Sequence, residues 1–421
     1  MLKKIKKFLK IFGPGFITGA ADDDPSGIAT YSQTGAQFGL GMIWTALWQL
    51  PLLLAIQETC ARIGAVTGKG LAGVIKDVYN KKILLILVLL MTCANIINIG
   101  ADIGAISTSI QLVIHVPFTL IAVISALVII LLEVFVSYHK YVHVLKWLGL
   151  ALVAYPITGL MIHEPWGAIL KASLIPHISL TFGFLFIVVG IFGTTISPYM
   201  FFWEASQEVE EEISLHMINV EGKKPYKVRK FLKHLRLDNF IGMLFAELIQ
   251  WFIIIVCSTM LFNHGITSIN TAAQAAQALQ PFAGSYAKDL FALGVIGIGL
   301  MAIPVLAGSA SYAISETFGW KEGLYRKLSD AKGFYLIIIL ATLIGLLMNF
   351  VGINPIKALI YTAVFNGVAA VPLIFVIARI NSNKKVLGVH TGKKLSRTLV
   401  WVTFIVMSLA AIALFYTLFA G

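Results

Sequence analysis

The stretch AADDDPSG, at residues 20–27, puts three aspartates and a proline inside an otherwise apolar segment of the chain. A second apolar segment is interrupted by GTTISPY at residues 193–199. Proline removes a backbone donor and opens a helix, which frees carbonyl oxygens. Carboxylates at membrane depth are costly and mark an ion or substrate path. Two such breaks are typical of the discontinuous helices of inverted-repeat secondary transporters.

The composition predicts an all-α integral membrane protein with one transmembrane domain over residues 1–421, since 58% of the residues are hydrophobic and 12% charged. The net charge of +12 does not indicate nucleic-acid binding, because the basic residues fall in short clusters between apolar segments. Cys60, Cys93 and Cys257 lie inside apolar segments without metal-ligand spacing, so we interpret them as buried hydrophobic residues.

Apolar segments long enough to cross a hydrocarbon core of ~30 Å predict eleven spans. Their approximate bounds are 11–39, 43–65, 82–113, 118–137, 144–163, 180–206, 238–262, 287–315, 333–352, 356–380 and 397–419. The basic N-terminus resembles a signal peptide, but residues 13–15 read GPG and the apolar segment resumes after the acidic kink. We therefore interpret it as a cytoplasmic anchor.

Lysine and arginine are concentrated in the N-terminus and in alternate loops, which predicts a cytoplasmic N-terminus and an external C-terminus. Lys171 and Lys288 are the clear exceptions. The short loops favour a bacterial inner (plasma) membrane.

The spans also predict an internal repeat. Spans one to five (about 11–163) and six to ten (about 180–380) each begin with a broken helix. An odd number of spans per repeat forces opposite orientations, which makes the repeat an inverted 5+5 arrangement. The span at 397–419 is an additional eleventh helix.

The first break offers a carboxylate, a hydroxyl and flexible backbone. Asp24 precedes the proline, so its backbone should leave the α region, and Ser26 and Gly27 follow it. Asp22 and Asp23 add negative charge that would attract a cation or complete its site. The alternative is that the aspartate triplet is an exposed helix end and that the chain enters the membrane again later. The basic N-terminus argues against it, because it leaves no room for another span before the triplet.

The second break offers hydroxyls and open carbonyls from Thr194, Thr195 and Ser197. Together the two breaks predict an all-oxygen site, which suits hard divalent cations such as Mg²⁺, Ca²⁺ and Mn²⁺. The nearest sulfur is that of Met200.

Other ionisable residues lie within the spans. Asn95, Asn98 and Asp102 share one helix face, which we expect to look inward, with Asp102 functional. Glu58 and Arg62, spaced i and i+4, are predicted to form a structural ion pair.

Glu133, Glu204 and Glu247 could each belong to an ion or proton relay, or to a structural contact. The segment 204–237 changes from acidic to basic. We interpret it as a solvated loop with a short surface helix, the alternative being an acidic funnel at the inner mouth.

Several motifs make the chain resemble the NRAMP family of divalent-metal transporters. They are GPGF at 13–16, DPSG at 24–27 where the family has Asp-Pro-Gly-Asn, the segment QETCARIGAVTGK at 57–69, Ala101-Asp102, and Ser197-Pro198-Tyr199 where the family has Met-Pro-His. The resemblance covers nearly the whole chain. It implies the LeuT-like fold and proton-linked import of divalent metals such as Mn²⁺ and Fe²⁺.

The resemblance also implies a ligand set. Asp24 is the metal carboxylate, carbonyls near Ala21 and Thr194 are further ligands, and Gly27 and Ser197 stand at the positions of the family's asparagine and methionine. This chain lacks the methionine sulfur and has two additional carboxylates, at Asp22 and Asp23. Both differences favour a less selective or Mg²⁺-like site.

The two histidines of the family's sixth helix are replaced by Tyr199 and Glu204, and its second acid in span three by Ala105. Whether protons are coupled is therefore left open. The candidates for a proton path are Asp102, Glu204 and Tyr199.

Two alternatives stand beside cation transport: Na⁺-coupled import of an amino acid or similar solute, and a membrane scaffold or receptor. The aspartate triplet would repel an anionic solute, and the costly intramembrane acids argue against a scaffold. We expect neither enzymatic activity nor a permanently bound cofactor. The expected partners are the lipid bilayer and the transported cation, with no nucleic acid and no obligate protein partner.

Overall fold

The computed structural model describes residues 14–136, 150–162, 164–215 and 228–420, and these fold as helices joined by short connections. The helices are α1 Pro14–Asp22, α2 Pro25–Phe38, α3 Trp44–Thr67, α4 Leu71–Val78, α5 Lys81–Val113, α6 Phe118–Phe135, α7 Ala154–Met161, α8 Trp166–Leu174, α9 Phe182–Thr195, α10 Pro198–Ser214, α11 Val228–Met260, α12 Ala272–Gln277, α13 Gln280–Ala283, α14 Ala287–Phe318, α15 Lys332–Met348, α16 Pro355–Asn381, α17 Lys384–Leu387 and α18 Lys394–Ala420. Short 3₁₀ turns are interspersed at Gly39–Met42, Leu150–Val153, Phe262–His264, Gly284–Tyr286 and Gly388–His390.

Both predicted breaks are present, and each proline begins a new helix. Pro25 is the first residue of α2, and Pro198 is the first residue of α10. A proline is tolerated at this position because the first helical N–H groups have no partner within the helix. The chain therefore stops and restarts its helix at residues 23–24 and again at 196–197.

Helices occupy the described part of every predicted span. By length and composition, seven helices among the described residues can cross a membrane, or eight if Pro25–Met42 and Trp44–Thr67, which meet at 105°, count as one span. The main differences are at α10, which continues past 206 to Ser214, and at α11, which begins at Val228 rather than at 238. Residues 11–13, 137, 144–149 and 163 of the predicted spans lie outside the described residues.

Close backbone contacts at glycine bring the broken helices against the rest of the bundle. A Cβ on Gly193 of α9 would lie 2.0 Å from the carbonyl oxygen of Ala363 in α16. A Cβ on Gly19 of α1 would lie 2.3 Å from the carbonyl carbon of Gly242 in α11. Small residues allow such approaches between membrane helices. These contacts fix α9 against α16, a helix of the same predicted repeat, and α1 against α11, a helix of the other predicted repeat.

Polar contacts tie together the helix ends that the charge pattern assigns to one face. Arg62 and Glu58 form the expected ion pair at 2.9 Å. Glu58 also pairs with Arg236 at 2.9 Å, and Arg62 donates to Asn381 Oδ1 at 3.0 Å and to the His390 carbonyl at 2.9 Å. The ends of α3 and α16 and the start of α11 therefore share one face. That this face is cytoplasmic stays a prediction, as do the bounds of the two repeats.

Candidate cation site at the helix breaks

The two breaks meet inside the bundle. The Ser26 and Thr194 hydroxyl oxygens lie 3.1 Å apart, although 168 residues separate them. The Tyr199 hydroxyl, at the start of α10, donates to the Ala21 carbonyl at the end of α1 over 3.2 Å. Residues predicted from two distant motifs therefore line one buried location.

Asp24 is the carboxylate at this location, and it is 1% exposed. Its Oδ1 accepts from the Ser26 hydroxyl at 2.6 Å and from the Gly27 N–H at 2.8 Å, which makes it the N-cap of α2. Its Oδ2 accepts from Asn98 Nδ2 on α5 at 2.9 Å. An ionised carboxylate has about four lone-pair sites, so these three bonds fix its position and leave acceptor capacity for a ligand.

Asp22 and Asp23 are also 1% exposed, but their carboxylate oxygens accept no hydrogen bond from the described residues. Burying such a group without a partner is costly, so it is a strong acceptor for a cation or a proton. No three His, Cys, Asp or Glu side chains within the described ranges converge as a metal cluster. The site therefore combines the Asp24 carboxylate with neutral oxygens, and Asp22 and Asp23 add charge nearby.

At the second break, a side-chain hydroxyl donates hydrogen bonds to the backbone carbonyls of the same break. The Ser197 hydroxyl donates back to the carbonyls of Gly193 at 2.5 Å and Thr194 at 2.8 Å. Facing it, a Cβ on Gly27 would lie 3.4 Å from Thr194 Oγ1 and 3.3 Å from the Asp22 carbonyl oxygen. The glycine thus lets the two breaks approach closely, at the position where the related family carries an asparagine.

A hydroxyl and amide network that the sequence analysis missed lies beside the breaks. Gln49 on α3 donates to Gln250 Oε1 at 2.5 Å, to Glu247 Oε2 at 3.1 Å and to Thr195 Oγ1 at 3.1 Å. Thr195 is also 2.8 Å from the Tyr31 hydroxyl of α2. The only signal in the sequence is the presence of two glutamines and a glutamate within apolar segments. The network connects α2, α3, α9 and α11.

Asp102 behaves as the face prediction requires. It is fully buried on α5, one turn after Asn98, whose side-chain amide donates to Asp24. Its carboxylate accepts no hydrogen bond from the described chain. Asn95, on the same face, instead donates to the Leu306 carbonyl and to Ser309 on α14, each at 2.8 Å.

Glu204 lies apart from the breaks. It is seven residues after Ser197 on α10, roughly 10 Å along a helix that rises 1.5 Å per residue. Its carboxylate accepts from Thr18 Oγ1 at 2.5 Å and from Asn239 Nδ2 at 2.8 Å. Of the three proton-path candidates, Tyr199 and Asp102 adjoin the site, whereas Glu204 joins α1, α10 and α11.

The acidic stretch after Glu204 is not the solvated segment that its charge suggested. Glu208, Glu210 and Glu212 are buried on α10, because the helix continues against α14. Glu210 accepts from the Tyr312 hydroxyl and from the Leu324 N–H. Residues 216–227, the middle of the predicted loop, lie outside the described residues.

A cavity of about 250 Å³ lies where α10, the end of α14 and the following loop meet. Glu210 and Glu322 line it together with Lys69, Lys321 and Arg326. Burial raises the pKa of the Glu322 carboxyl well above its ordinary value, and the nearby Glu316 and Glu210 raise it further. The cavity therefore has mixed charge, and the alternative interpretation of an acidic funnel stays a prediction, because part of that segment lies outside the described residues.

Two half-helices that each start with a proline and meet beside the buried Asp24 carboxylate define a membrane protein built like the secondary transporters with discontinuous helices. The family model described as natural resistance-associated macrophage protein-like (Nramp) matches residues 15–417. The chain belongs to this family, as its motifs predicted.

Two curated relatives are similar along nearly their whole length. A protein named divalent metal cation transporter MntH from Caldanaerobacter subterraneus is 27% identical over 99% of this chain and 95% of the relative. Another of the same name, from Clostridium acetobutylicum, is 24% identical over 100% of this chain and 93% of the relative.

The solved structures show the fold. The manganese transporter of Eremococcus coleocola superposes with a TM-score of 0.76 at 17% identity, over 98% of this chain and 87% of that chain. Mhp1, a nucleobase-cation-symport-1 family transporter, superposes with a TM-score of 0.56 at 15% identity, over 96% of this chain and 92% of that chain. The prediction of a LeuT-like fold with an inverted 5+5 repeat and an additional helix is confirmed.

Proposed function

We propose that this protein imports divalent metal cations across a membrane by alternating access, with Asp24 as the charged ligand. One observation carries the proposal: the Asp24 carboxylate is held between the two helix breaks by three donors and keeps capacity for a fourth partner. Membership of the Nramp family and relatives named as divalent metal cation transporters support it.

The remaining ligands in this proposal are neutral oxygens. The Ala21 and Thr194 carbonyls each accept one side-chain hydroxyl, and a carbonyl has two lone pairs, so each retains one for a cation. The hydroxyls of Ser26 and Thr194 lie at the same location. Gly27 and Ser197 stand where the family has its other two ligands, and waters retained by the ion would replace them.

The donor set favours a hard ion. Oxygen ligands suit Mg²⁺ and Mn²⁺, whereas sulfur would favour softer transition metals. We therefore propose that Mg²⁺ competes effectively with Mn²⁺ at this site. The two unpartnered carboxylates, Asp22 and Asp23, would raise the local concentration of cations rather than coordinate the ion first.

Proton coupling is a separate part of the proposal. Asp102 and Tyr199 adjoin the cation site, and Glu204 lies further along α10, so a coupled proton would pass between these groups. In the same proposal the protein has no catalytic activity, occupies a bacterial inner membrane, and has its N-terminus in the cytoplasm and its C-terminus outside.

The test is uptake of Mg²⁺, Mn²⁺ and Ca²⁺ into proteoliposomes that contain the purified protein, with and without a pH gradient, compared with Asp24→Asn. Asparagine can still cap α2 through its amide oxygen, so the variant removes charge while the helix start is kept. A loss of about 3 kcal/mol in cation binding would reduce affinity ~100-fold, and we expect uptake to fall to background. Asp77→Asn, which neutralises an exposed carboxylate that pairs with Lys69 away from the breaks, is the control and should transport normally.

Retention of uptake by Asp24→Asn would refute the site. Absence of flux for every cation in the wild type, combined with uptake of an amino acid in a Na⁺ gradient, would instead support the organic-solute alternative. Acidification of the lumen together with metal entry would establish proton coupling, and entry without it would establish a uniporter.

A further inference from the structure

A groove of about 490 Å³ lies where the end of α16 meets the start of α18, away from the helix breaks. Ser382, Lys394, Arg397 and Thr398 line its polar end. Trp401, Val402 and Ile405 line its apolar end. The groove therefore changes from cationic to apolar along a single helix.

The cationic end has no anionic partner among the described residues. Lys394 and Arg397 are exposed, lie one turn apart on α18, and form no ion pair with any carboxylate of the described residues. No aspartate or glutamate follows Asp330 in the sequence, so α16 and α18, which form the groove, carry no carboxylate side chain of their own. The two side chains are thus available to an external anion.

The apolar end continues into a face that none of the described helices covers. Ile405, Leu409 and Ile412 of α18 are 50%, 61% and 64% exposed. In a membrane-spanning helix such a face contacts acyl chains. The Trp401 ring packs edge-on against Phe375 and Phe404, with centroids 5.8 Å and 5.7 Å away, which fixes an aromatic group at the boundary between the two ends.

We propose that this groove binds an anionic phospholipid, with its headgroup phosphate between Lys394 and Arg397 and an acyl chain along Val402 and Ile405. Arginine and lysine pair with phosphate, and the Ser382 and Thr398 hydroxyls supply further donors. Basic pockets between membrane helices on the positively charged side are typical sites for such headgroups. A lipid bound here would join α18 to α16, and the site does not depend on the proposed cation transport.

The test uses quenching of Trp401 by brominated lipids in nanodiscs. Bromine on the acyl chain quenches a tryptophan that it contacts, so the difference between the wild type and Trp401→Phe isolates this residue among the eight tryptophans. We expect dibromo-phosphatidylglycerol to quench Trp401 at about a tenfold lower mole fraction than dibromo-phosphatidylcholine, since each basic residue near the surface strengthens anionic binding.

The double variant Lys394→Gln/Arg397→Gln should lose this headgroup preference. Lys384→Gln/Lys385→Gln, which neutralises two exposed lysines of the neighbouring helix α17 outside the groove, should keep it. Equal quenching by the two lipids, or a preference that survives the first double variant, would overturn the proposal. Displacement of the lipid by millimolar inorganic phosphate would also overturn it and would identify a site for free phosphate.

Discussion

The two helix breaks share the same backbone arrangement but differ in charge. In each, a proline starts the new helix and the preceding residue is the N-cap. At the first break Asp24 caps α2 with its side chain, whereas at the second Ser197 makes no cap bond and turns its hydroxyl back to the carbonyls of α9. The first break is charged and its carboxylate is fixed from three directions; the second is neutral.

This difference suggests two roles in the proposed site: the first break attracts divalent cations, and the second selects among them. A divalent ion leaving water is compensated first by negative charge, which only the first break supplies. The kind of oxygen or sulfur that completes the coordination shell decides which ion is preferred, and in the proposed site we expect the neutral second break to set this preference. Substitutions at the first break should therefore alter the affinity for all divalent ions alike. Substitutions at the second break should alter which ion binds most tightly.

The largest effect after the loss of Asp24 is expected from the other two carboxylates. Asp22→Asn/Asp23→Asn should weaken binding of both Mg²⁺ and Mn²⁺ by about tenfold, because two buried charges no longer attract the ion. The same variant should unfold at an equal or higher temperature, since these carboxylates are buried without hydrogen-bond partners. Calorimetric titration and thermal unfolding in detergent measure the two quantities.

Complete loss of binding in this double variant would contradict the division of roles. It would mean that Asp22 or Asp23 is a direct ligand, equal to Asp24, and that the carboxylates move together when the ion arrives.

A smaller effect is expected at Asn98. Asn98→Leu leaves Asp24 Oδ2 without its donor, which should cost about 1–3 kcal/mol of stability in the absence of metal. A bound cation satisfies the same oxygen, so added Mg²⁺ should restore more stability to this variant than to the wild type, as measured by thermal unfolding. Asn95→Leu is the matched control, since Asn95 lies on the same face but bonds to Leu306 and Ser309. A control that responds equally to Mg²⁺ would contradict the assignment.

Features that depend on neighbouring residues, such as the helix breaks, the spans and the polar helix face, were predicted from the sequence. Proline fixes its own backbone and disrupts the preceding turn, so Pro25 and Pro198 locate both breaks. Hydropathy locates the spans, because a membrane requires about 20 apolar residues for each helix. The face that contains Asn98 and Asp102 follows from helical periodicity.

Contacts between distant segments were not predictable from one sequence. Gln49 and Glu247 meet although 198 residues separate them, and nothing local marks either as a partner of the other. The burial of Glu208 and Glu212 comes from packing of α10 against α14, whereas their charge alone suggested solvent. The orientation of the Ser197 hydroxyl depends on a side-chain rotamer, which composition does not specify.

The smallest expected effect is the most direct test of the difference between the two breaks, because it changes which divalent ion binds more tightly while the charge of the site stays constant. Ser197→Met introduces the thioether that the family carries at this position, and removes the hydroxyl that now occupies the Gly193 and Thr194 carbonyls. Sulfur favours transition metals, so the ratio of Mn²⁺ to Mg²⁺ affinity should rise about three- to tenfold, and Cd²⁺ binding should increase. Ser197→Leu has a similar volume without sulfur and separates ligand chemistry from the loss of the hydroxyl. If both variants shift the ratio equally, the sulfur does not reach the ion, and selectivity is decided by the carbonyls that the serine releases.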